Sequence, residues 1–137
     1  RVVSLHPLEA RVCVGACDDV QTHLVAYEER IAVFLARLGM STRVEVASDP
    51  FFQPQSSRAI SQQLFPAKRE FVHGESLAIA SVNFHRNFFG DRCEIRTADR
   101  EPAFSGCVAF GLERWMHALL EHFHGEGGAV ERTLTEA

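Results

Sequence analysis

The chain has 137 residues, of which 46% are hydrophobic and 23% are charged, and its formal net charge at pH 7 is −4. This size and composition predict one globular domain, and the acidic balance argues against binding DNA or tRNA through bulk charge. The longest apolar runs are too short to span a bilayer, so a transmembrane segment is excluded and no membrane partner is expected.

The location predicted from the sequence is the cytoplasm. No charged-then-apolar leader precedes the first predicted strand, so we expect no secretion signal. Four cysteines are present, at Cys13, Cys17, Cys93 and Cys107. In a chain without a leader they are predicted to be reduced thiols.

The first half of the chain begins with β-forming segments. Arg1–Ser4 and Ala10–Gly15 are predicted to be strands, separated by the turn-forming His6-Pro7. Asp18 and Asp19 then suit the positive end of a helix, and apolar residues recur with a helical period as far as Gly39. We therefore predict a helix over residues 18–38.

The remainder alternates like strands until the last helix. The predicted strands cover residues 43–47, 67–73, 76–84, 93–97 and 105–110, and a helix follows to about Phe123. Residues 48–66 contain three prolines and are predicted to be a loop, either a lid or a surface connection. The pattern predicts an α+β fold, an antiparallel sheet flanked by helices, as one domain over residues 1–124 with a flexible tail over 125–137.

The most informative stretch is Ser105-Gly106-Cys107-Val108-Ala109-Phe110-Gly111-Leu112-Glu113-Arg114-Trp115. Its small apolar residues favour a buried strand in which Gly106 allows close approach, and Gly111 allows a sharp turn into a helix. Arg114 on the first helical turn could bind phosphate oxygens through two parallel hydrogen bonds. By spacing alone, a surface arginine on an amphipathic helix is the alternative.

This stretch resembles the third signature motif of class II aminoacyl-tRNA synthetases. With a cysteine before the glycine turn, it is similar to the amino acid:[carrier protein] ligases, which are seryl-tRNA-synthetase homologues. Three further segments match that family in the same order: Val46-Ala47-Ser48-Asp49-Pro50-Phe51-Phe52, Ser61-Gln62-Gln63 with Lys68 to Glu70, and Ser81-Val82-Asn83-Phe84-His85-Arg86-Asn87-Phe88-Phe89-Gly90.

The resemblance implies an ATP- and Mg²⁺-dependent ligase. It would activate a small amino acid of the glycine or alanine class as an aminoacyl adenylate, and pass it to the phosphopantetheine thiol of a carrier protein. The implied site residues are Arg114 for catalysis, Arg114, Glu113 and Gly111 for ATP, Ser81, Asn83, Lys68 and Glu70 for the substrate, and Cys107 for zinc. For Lys68 and Glu70 a solvated sheet face is the alternative.

The sequence departs from the family in its second motif. The family's zinc ligands are an upstream cysteine, a second-motif glutamate and the cysteine matched by Cys107. The glutamate position falls at Ala10, and Glu9 could replace it only if the register differs or the strand bulges. The ATP-binding arginines of that motif are not recognisable either, so zinc binding and activity of this chain alone are in question.

The motifs that the sequence lacks determine the domain organisation that we expect. Neither the first motif nor a complete second motif fits before the matched segments, so the chain is expected to be the C-terminal half of a catalytic domain, with a homodimer possible through the first half. The alternatives are a catalytically degenerate binding module and a seryl-tRNA synthetase fragment.

The residue types also suggest two other possible metal sites and one possible phosphate site. Cys13 and Cys17 could join Cys93 or Cys107 in a structural zinc site, although a core role for Cys13 is favoured. His117, Glu121 and His124 share a helical face, for which a solvated surface is favoured. His85 and Arg86 could contact a phosphate or the carrier, or could form surface salt bridges.

Overall fold

A computed structural model describes residues 7–47 and 67–136, with side chains from Cys13 onward in the first range. The strand predicted at Arg1–Ser4 and the loop predicted at 48–66 lie outside the described residues. The same holds for Ser48-Asp49-Pro50-Phe51-Phe52 and Ser61-Gln62-Gln63 of the family-like segments.

The described residues form five strands and four helices. The strands are β1 (Pro7–Gly15), β2 (Thr42–Val46), β3 (Lys68–His73), β4 (Leu77–Arg86) and β5 (Phe104–Gly111). The helices are α1 (Cys17–Arg37), α2 (Phe88–Arg92), α3 (Leu112–His122) and α4 (Gly127–Glu136). None of these helices combines the length and the apolarity needed to cross a membrane.

The strands form one antiparallel sheet in the order β1-β5-β4-β3-β2. The central strands β5 and β4 carry most of the buried positions, as expected of strands paired on both sides. The predicted α+β fold is confirmed, because the sheet is antiparallel and helices pack against it.

The core lies between one face of the sheet and helices α1 and α3. Buried side chains from the sheet, including Phe71, Val82 and Val108, join Leu35 of α1 and Trp115 of α3 in one cluster. The apolar period that predicts residues 18–38 as a helix is confirmed by α1, which starts and ends one residue earlier. The sheet is therefore covered on this face.

Two segments differ from the sequence-based prediction. Residues 93–97 form no strand but only an isolated bridge between Arg96 and Pro102, and the short helix α2 precedes them. The tail predicted to be flexible contains α4, whose Val130 packs against the core. A glycine-rich composition suggested irregular structure there, but an apolar tertiary contact supports a helix. The flexibility itself stays a prediction.

Gly106 is a position where the first helix lies close against the sheet. A Cβ added there would lie 2.6 Å from Leu24 Cδ1 of α1 and 2.8 Å from the backbone oxygen of Asn83. The close approach predicted for Gly106 is therefore a helix-packing contact.

Replacing Gly106 by alanine should destabilise the fold by about 1–3 kcal/mol, because overpacking a tight core forces side chains and backbone apart. The measurement is chemical denaturation of both proteins followed by circular dichroism. Gly127→Ala is the matched control, since nothing lies within 4 Å of a Cβ there. Equal midpoints for Gly106→Ala and the control would contradict the packing argument.

Candidate functional site

A row of polar side chains occupies the sheet face opposite to α1 and α3. Because Val82 and Val108 point into the core, their neighbours in the strands point the other way. Ser81, Asn83 and Cys107 are such neighbours, and Asn83 pairs directly with Cys107 across β4 and β5. The sequence-predicted residues Ser81, Asn83 and Cys107 are thus brought together.

Asn83 lies at the centre of this row. Its Nδ2 atom is 3.3 Å from Ser81 Oγ and 3.4 Å from Cys107 Sγ, within hydrogen-bonding range of each. Asn83 is half-buried, whereas Cys107 is 8% exposed. The amide therefore links the centre of the polar row to a thiol that is almost fully enclosed.

His85 extends the same row beyond Cys107. Its Nε2 atom lies 3.4 Å from Cys107 Sγ, and its Nδ1 atom lies 3.2 Å from the hydroxyl of Ser105. Ser105 is 4% exposed and is the one buried polar side chain of the described core. The sequence suggests a phosphate or carrier contact for His85, and in the structure its ring lies against the thiol of Cys107.

Lys68 and Glu70 lie on the next strand, in the same rows. Lys68 pairs with Asn83 and Glu70 with Ser81 across β3 and β4. Lys68 Nζ and Glu70 Oε1 form an ion pair at 2.7 Å, and both side chains are partly exposed. The two side chains share one sheet face, and their ion pair places one charge of each sign beside Ser81 and Asn83.

Arg114 lies at the far end of the same central strands. Its Nη1 atom donates a 3.0 Å hydrogen bond to the backbone oxygen of Ala78 on β4. Ala78 is three residues from Ser81, a separation of about 10 Å along a strand. Arg114 is therefore fixed near the polar row, but the two do not form a single contact cluster.

The role of Gly111 differs from the one predicted. Its φ of −84° and ψ of 103° are extended values that any residue adopts, so the turn does not require glycine. A Cβ at Gly111 would instead lie 3.2 Å from Cδ and 3.4 Å from Cγ of Arg114. Gly111 thus leaves space for the stem of Arg114, while Glu113 is half-buried on the same first turn of α3.

The register of β1 bears on the second-motif ligand. Glu9 pairs with Ala109 and Arg11 with Val108, so the strand bulges at Ala10. A bulged strand is one of the two conditions under which Glu9 could replace the family's glutamate. Because of the bulge, Glu9 pairs with Ala109, which in turn pairs with Ser81. The side chain of Glu9 lies outside the described part of the structure.

The described residues do not complete the implied zinc site. No group of three or more histidine, cysteine, aspartate or glutamate side chains among them could hold a metal. A catalytic zinc site uses three protein ligands, so Cys107 and His85 amount to a pair. No chemical step is therefore assigned to zinc here.

The two other predicted metal sites are also not formed by the described residues. Cys13 packs against the core and donates to the backbone oxygen of Gly106 at 3.4 Å. Burial raises the pKa of the Cys13 thiol, which suits a core residue. His117 forms a surface ion pair with Glu121 at 3.8 Å, so the favoured surface role agrees with the structure.

Ser105 is the site residue that sequence reasoning missed. The signal was available, because Ser105 lies two positions before Cys107 and strand alternation puts both on one face. The small residues around it pointed only to a buried strand.

Comparisons with known proteins identify relatives of this chain. No protein-family model matches the chain. Over 120 residues, 83% of the chain, it is 38% identical to amino acid–[acyl-carrier-protein] ligase 1 of Bradyrhizobium diazoefficiens. Over 125 residues, 87% of the chain, it is 36% identical to ligase 2 of the same organism. The chain spans only 36% and 37% of the lengths of these relatives.

Two more distant proteins also match the chain, one by sequence and one by structure. The type-2 serine–tRNA ligase of Methanococcus aeolicus is 22% identical over 116 residues, covering 77% of this chain and 22% of that protein. A crystal structure of A. aeolicus tRNASec in complex with M. kandleri SerRS superposes with a TM-score of 0.76 and 19% identity, covering 99% of this chain and 29% of the other.

The five-stranded antiparallel sheet and this fold likeness define a class II aminoacyl-tRNA-synthetase-like domain, of which the chain is a part. Within that class the chain belongs with the amino acid–carrier-protein ligases, with which it shares 36–38% identity. The predicted family is confirmed.

Proposed function

We propose that the chain supplies the nucleotide- and amino-acid-facing part of a ligase that charges a carrier protein. The observation that carries the proposal is the row of Ser81, Asn83 and Cys107 on the sheet face opposite to α1 and α3, with Arg114 at the end of the same strands. The names of the relatives support a carrier protein as the partner, and the resemblance supports ATP as the cofactor.

In the proposed first step, the carboxylate of a small amino acid attacks the α-phosphate of ATP and pyrophosphate leaves. The reaction mainly requires alignment and neutralisation of phosphate charge. Arg114 would bind the phosphates, held in position by its bond to Ala78 and by the space at Gly111. Mg²⁺ prefers carboxylate oxygens, which Glu113 could supply beside Arg114, and when bound it would share the phosphate charge.

In the second step, the phosphopantetheine thiol of the carrier attacks the aminoacyl carbonyl and AMP leaves. Ser81 and Asn83 would hold the aminoacyl group through their hydroxyl and amide. Lys68 and Glu70 would lie beside it, offering one charge of each sign to a zwitterionic amino acid. A cytoplasmic location and a homodimer formed through the remainder of the protein belong to the same proposal. Neither tRNA nor DNA does, given the net charge of −4.

The test is ATP–pyrophosphate exchange by this chain with glycine, alanine and serine, with and without zinc. Exchange that depends on glycine or alanine is expected if the chain holds a complete adenylation site. Exchange with serine alone would instead favour a seryl-tRNA synthetase fragment.

A catalytically degenerate binding module is the second candidate, favoured by one observation. The described residues hold no complete metal site. Folded protein that binds ATP without exchange would support this candidate and contradict catalysis by this chain alone.

A further inference from the structure

A bulge at the end of β4 separates the polar row from helix α2. Pairing with β5 is regular up to Phe84 and Gly106, then skips His85 and resumes between Arg86 and Ser105. Arg86 has a φ of 56°, a left-handed value that is uncommon for a bulky residue. Bulges commonly re-aim a side chain next to a functional site. Helix α2 begins two residues after Arg86, so the bulge lies directly between the row and the helix.

Helix α2 is held firmly against the sheet although it has only five residues. Its Gly90 is buried, and a Cβ added there would overlap the backbone oxygen of Ala103, so the two backbones are in direct contact. The Ile95 N–H donates to the Gly90 oxygen at 3.0 Å, and the Ala103 N–H donates to the Ile95 oxygen at 3.0 Å. The side chains of α2 are therefore presented from a fixed backbone.

Helix α2 presents an exposed surface of two aromatic rings and one cation. Phe88 and Phe89 are each 42% exposed, and their rings meet edge to face with centroids 5.2 Å apart. Arg92 Cζ lies 5.4 Å from the centre of the Phe88 ring, while the neighbouring acid, Asp91, accepts a 2.7 Å bond from the amide of Asn87. Exposed apolar patches with a polar rim mark contact surfaces, in which aromatic residues and arginine are enriched. We call Phe88, Phe89 and Arg92 the α2 patch.

The α2 patch adjoins the polar row through His85. The Phe89 ring meets the His85 ring edge to face, with centroids 5.1 Å apart. On its other side, His85 Nε2 lies 3.4 Å from Cys107 Sγ, which is itself 3.4 Å from Asn83 Nδ2. A continuous line of contacts therefore leads from the exposed cation of Arg92 to the centre of the polar row.

We propose that the α2 patch binds the phosphopantetheine arm of the carrier protein, an inference that rests on the proposed function. The arm carries an anionic phosphodiester, an apolar stretch with two methyl groups on one carbon, and a terminal thiol. Arg92 would contact the phosphodiester, since a guanidinium matches phosphate oxygens, and the two phenylalanine rings would pack against the methyl groups. The thiol would then extend past His85 toward Ser81 and Asn83, where the aminoacyl group is proposed to lie.

The test is an NMR titration of this chain, with its phenylalanine rings labelled with carbon-13, using 4′-phosphopantetheine and its phosphate-free analogue pantetheine. The ring signals of Phe88 and Phe89 should shift with both probes. Phosphopantetheine should bind about two- to fivefold more tightly, the range of an exposed charge contact. Arg92→Gln should abolish that preference and leave pantetheine affinity unchanged. Phe88→Ala should weaken both probes about tenfold, because two methyl groups lose an apolar contact.

Arg30→Gln and Val33→Ala are the matched controls. Arg30 Cζ lies 5.4 Å from the centre of the Tyr27 ring, the same cation-to-ring distance as in the α2 patch, and Val33 is 54% exposed. Both residues are on α1, which covers the opposite face of the sheet, so both variants should bind the two probes like the wild type. Thermal melts of each variant separate misfolding from the loss of a ligand contact.

The proposal is overturned if the rings of Phe88 and Phe89 give no shift at about 10 mM of either probe, a concentration that reveals even millimolar binding. It is also overturned if Arg92→Gln keeps the wild-type preference for the phosphate. The titration contains neither ATP nor an amino acid, so it does not depend on adenylation. Ring shifts without ATP–pyrophosphate exchange would support the α2 patch and contradict catalysis by this chain, whereas exchange without ring shifts would do the reverse.

Discussion

Replacing Arg114 by alanine should weaken ATP binding about 10- to 100-fold, since the loss of hydrogen bonds to a charged group costs about 1.5–3 kcal/mol. The guanidinium is held by the backbone oxygen of Ala78 and its stem passes over Gly111. Removal therefore takes away a cation whose position is already fixed. The measurement is the ATP dissociation constant by isothermal titration calorimetry.

Arg114→Lys distinguishes a guanidinium that forms paired hydrogen bonds to phosphate from one that contributes only its positive charge. Lysine keeps the cation but loses the planar fork, so it should recover only part of the affinity. Gly111→Ala should give a smaller loss, because the new Cβ crowds Arg114 Cδ at 3.2 Å.

Arg30→Ala is the control for Arg114, since Arg30 lies on α1 over the ring of Tyr27. A purely structural Arg114 would give a different result: the melting temperature of Arg114→Ala would fall while its ATP affinity stayed at the wild-type value. That outcome would remove Arg114 from the proposed ATP site.

Much of the fold could be predicted because local patterns and tertiary packing agree. The apolar period of α1 is long, and Gly39, with a φ of 72°, ends it as a glycine after a helix should. The polar row followed from strand alternation, because Ser81 and Asn83 are two residues apart and share a face. For these residues the sequence contained the determining information.

The features that could not be predicted depend on neighbouring strands. The bulges at Ala10 and His85 arise from pairing with β5, and neither residue type signals an irregular ladder on its own. Helix α4 was missed for a related reason. Its glycines disfavour a helix locally, and the contact of Val130 with the core, which favours it, is tertiary.

The arrangement of the site across two strands also explains why any single sequence motif was weak evidence for a functional site. Cys107 lies more than twenty residues after Asn83 and His85 in the sequence. In the structure its Sγ atom is 3.4 Å from Asn83 Nδ2 and 3.4 Å from His85 Nε2. A cysteine in a small-residue strand indicates only a core residue until its partner across the sheet is known. The pairing of Asn83 with Cys107 supplies that partner.

Replacing Asn83 by alanine should weaken binding of a non-hydrolysable glycyl-adenylate analogue about 10- to 100-fold, because losing a hydrogen-bonding partner typically costs about 1–3 kcal/mol. Asn83 contacts both Ser81 Oγ and Cys107 Sγ, so its loss disturbs the whole centre of the row. ATP affinity should change little, because Arg114 lies at the other end of the strands. The measurement is calorimetric titration with each ligand.

Two further variants make the Asn83 prediction specific. Asn83→Asp keeps the side-chain shape but replaces the amide donor with a carboxylate that only accepts hydrogen bonds, so it should bind the adenylate analogue about as poorly as alanine does. Asn87→Ala is the control, because Asn87 bonds to Asp91 on an exposed surface away from Ser81 and Cys107. Equal losses of ATP and adenylate affinity in Asn83→Ala would indicate a general disturbance of the sheet. A selective loss of the adenylate analogue would place the aminoacyl group at Asn83, because the analogue and ATP share the adenosine and only the analogue carries an aminoacyl group.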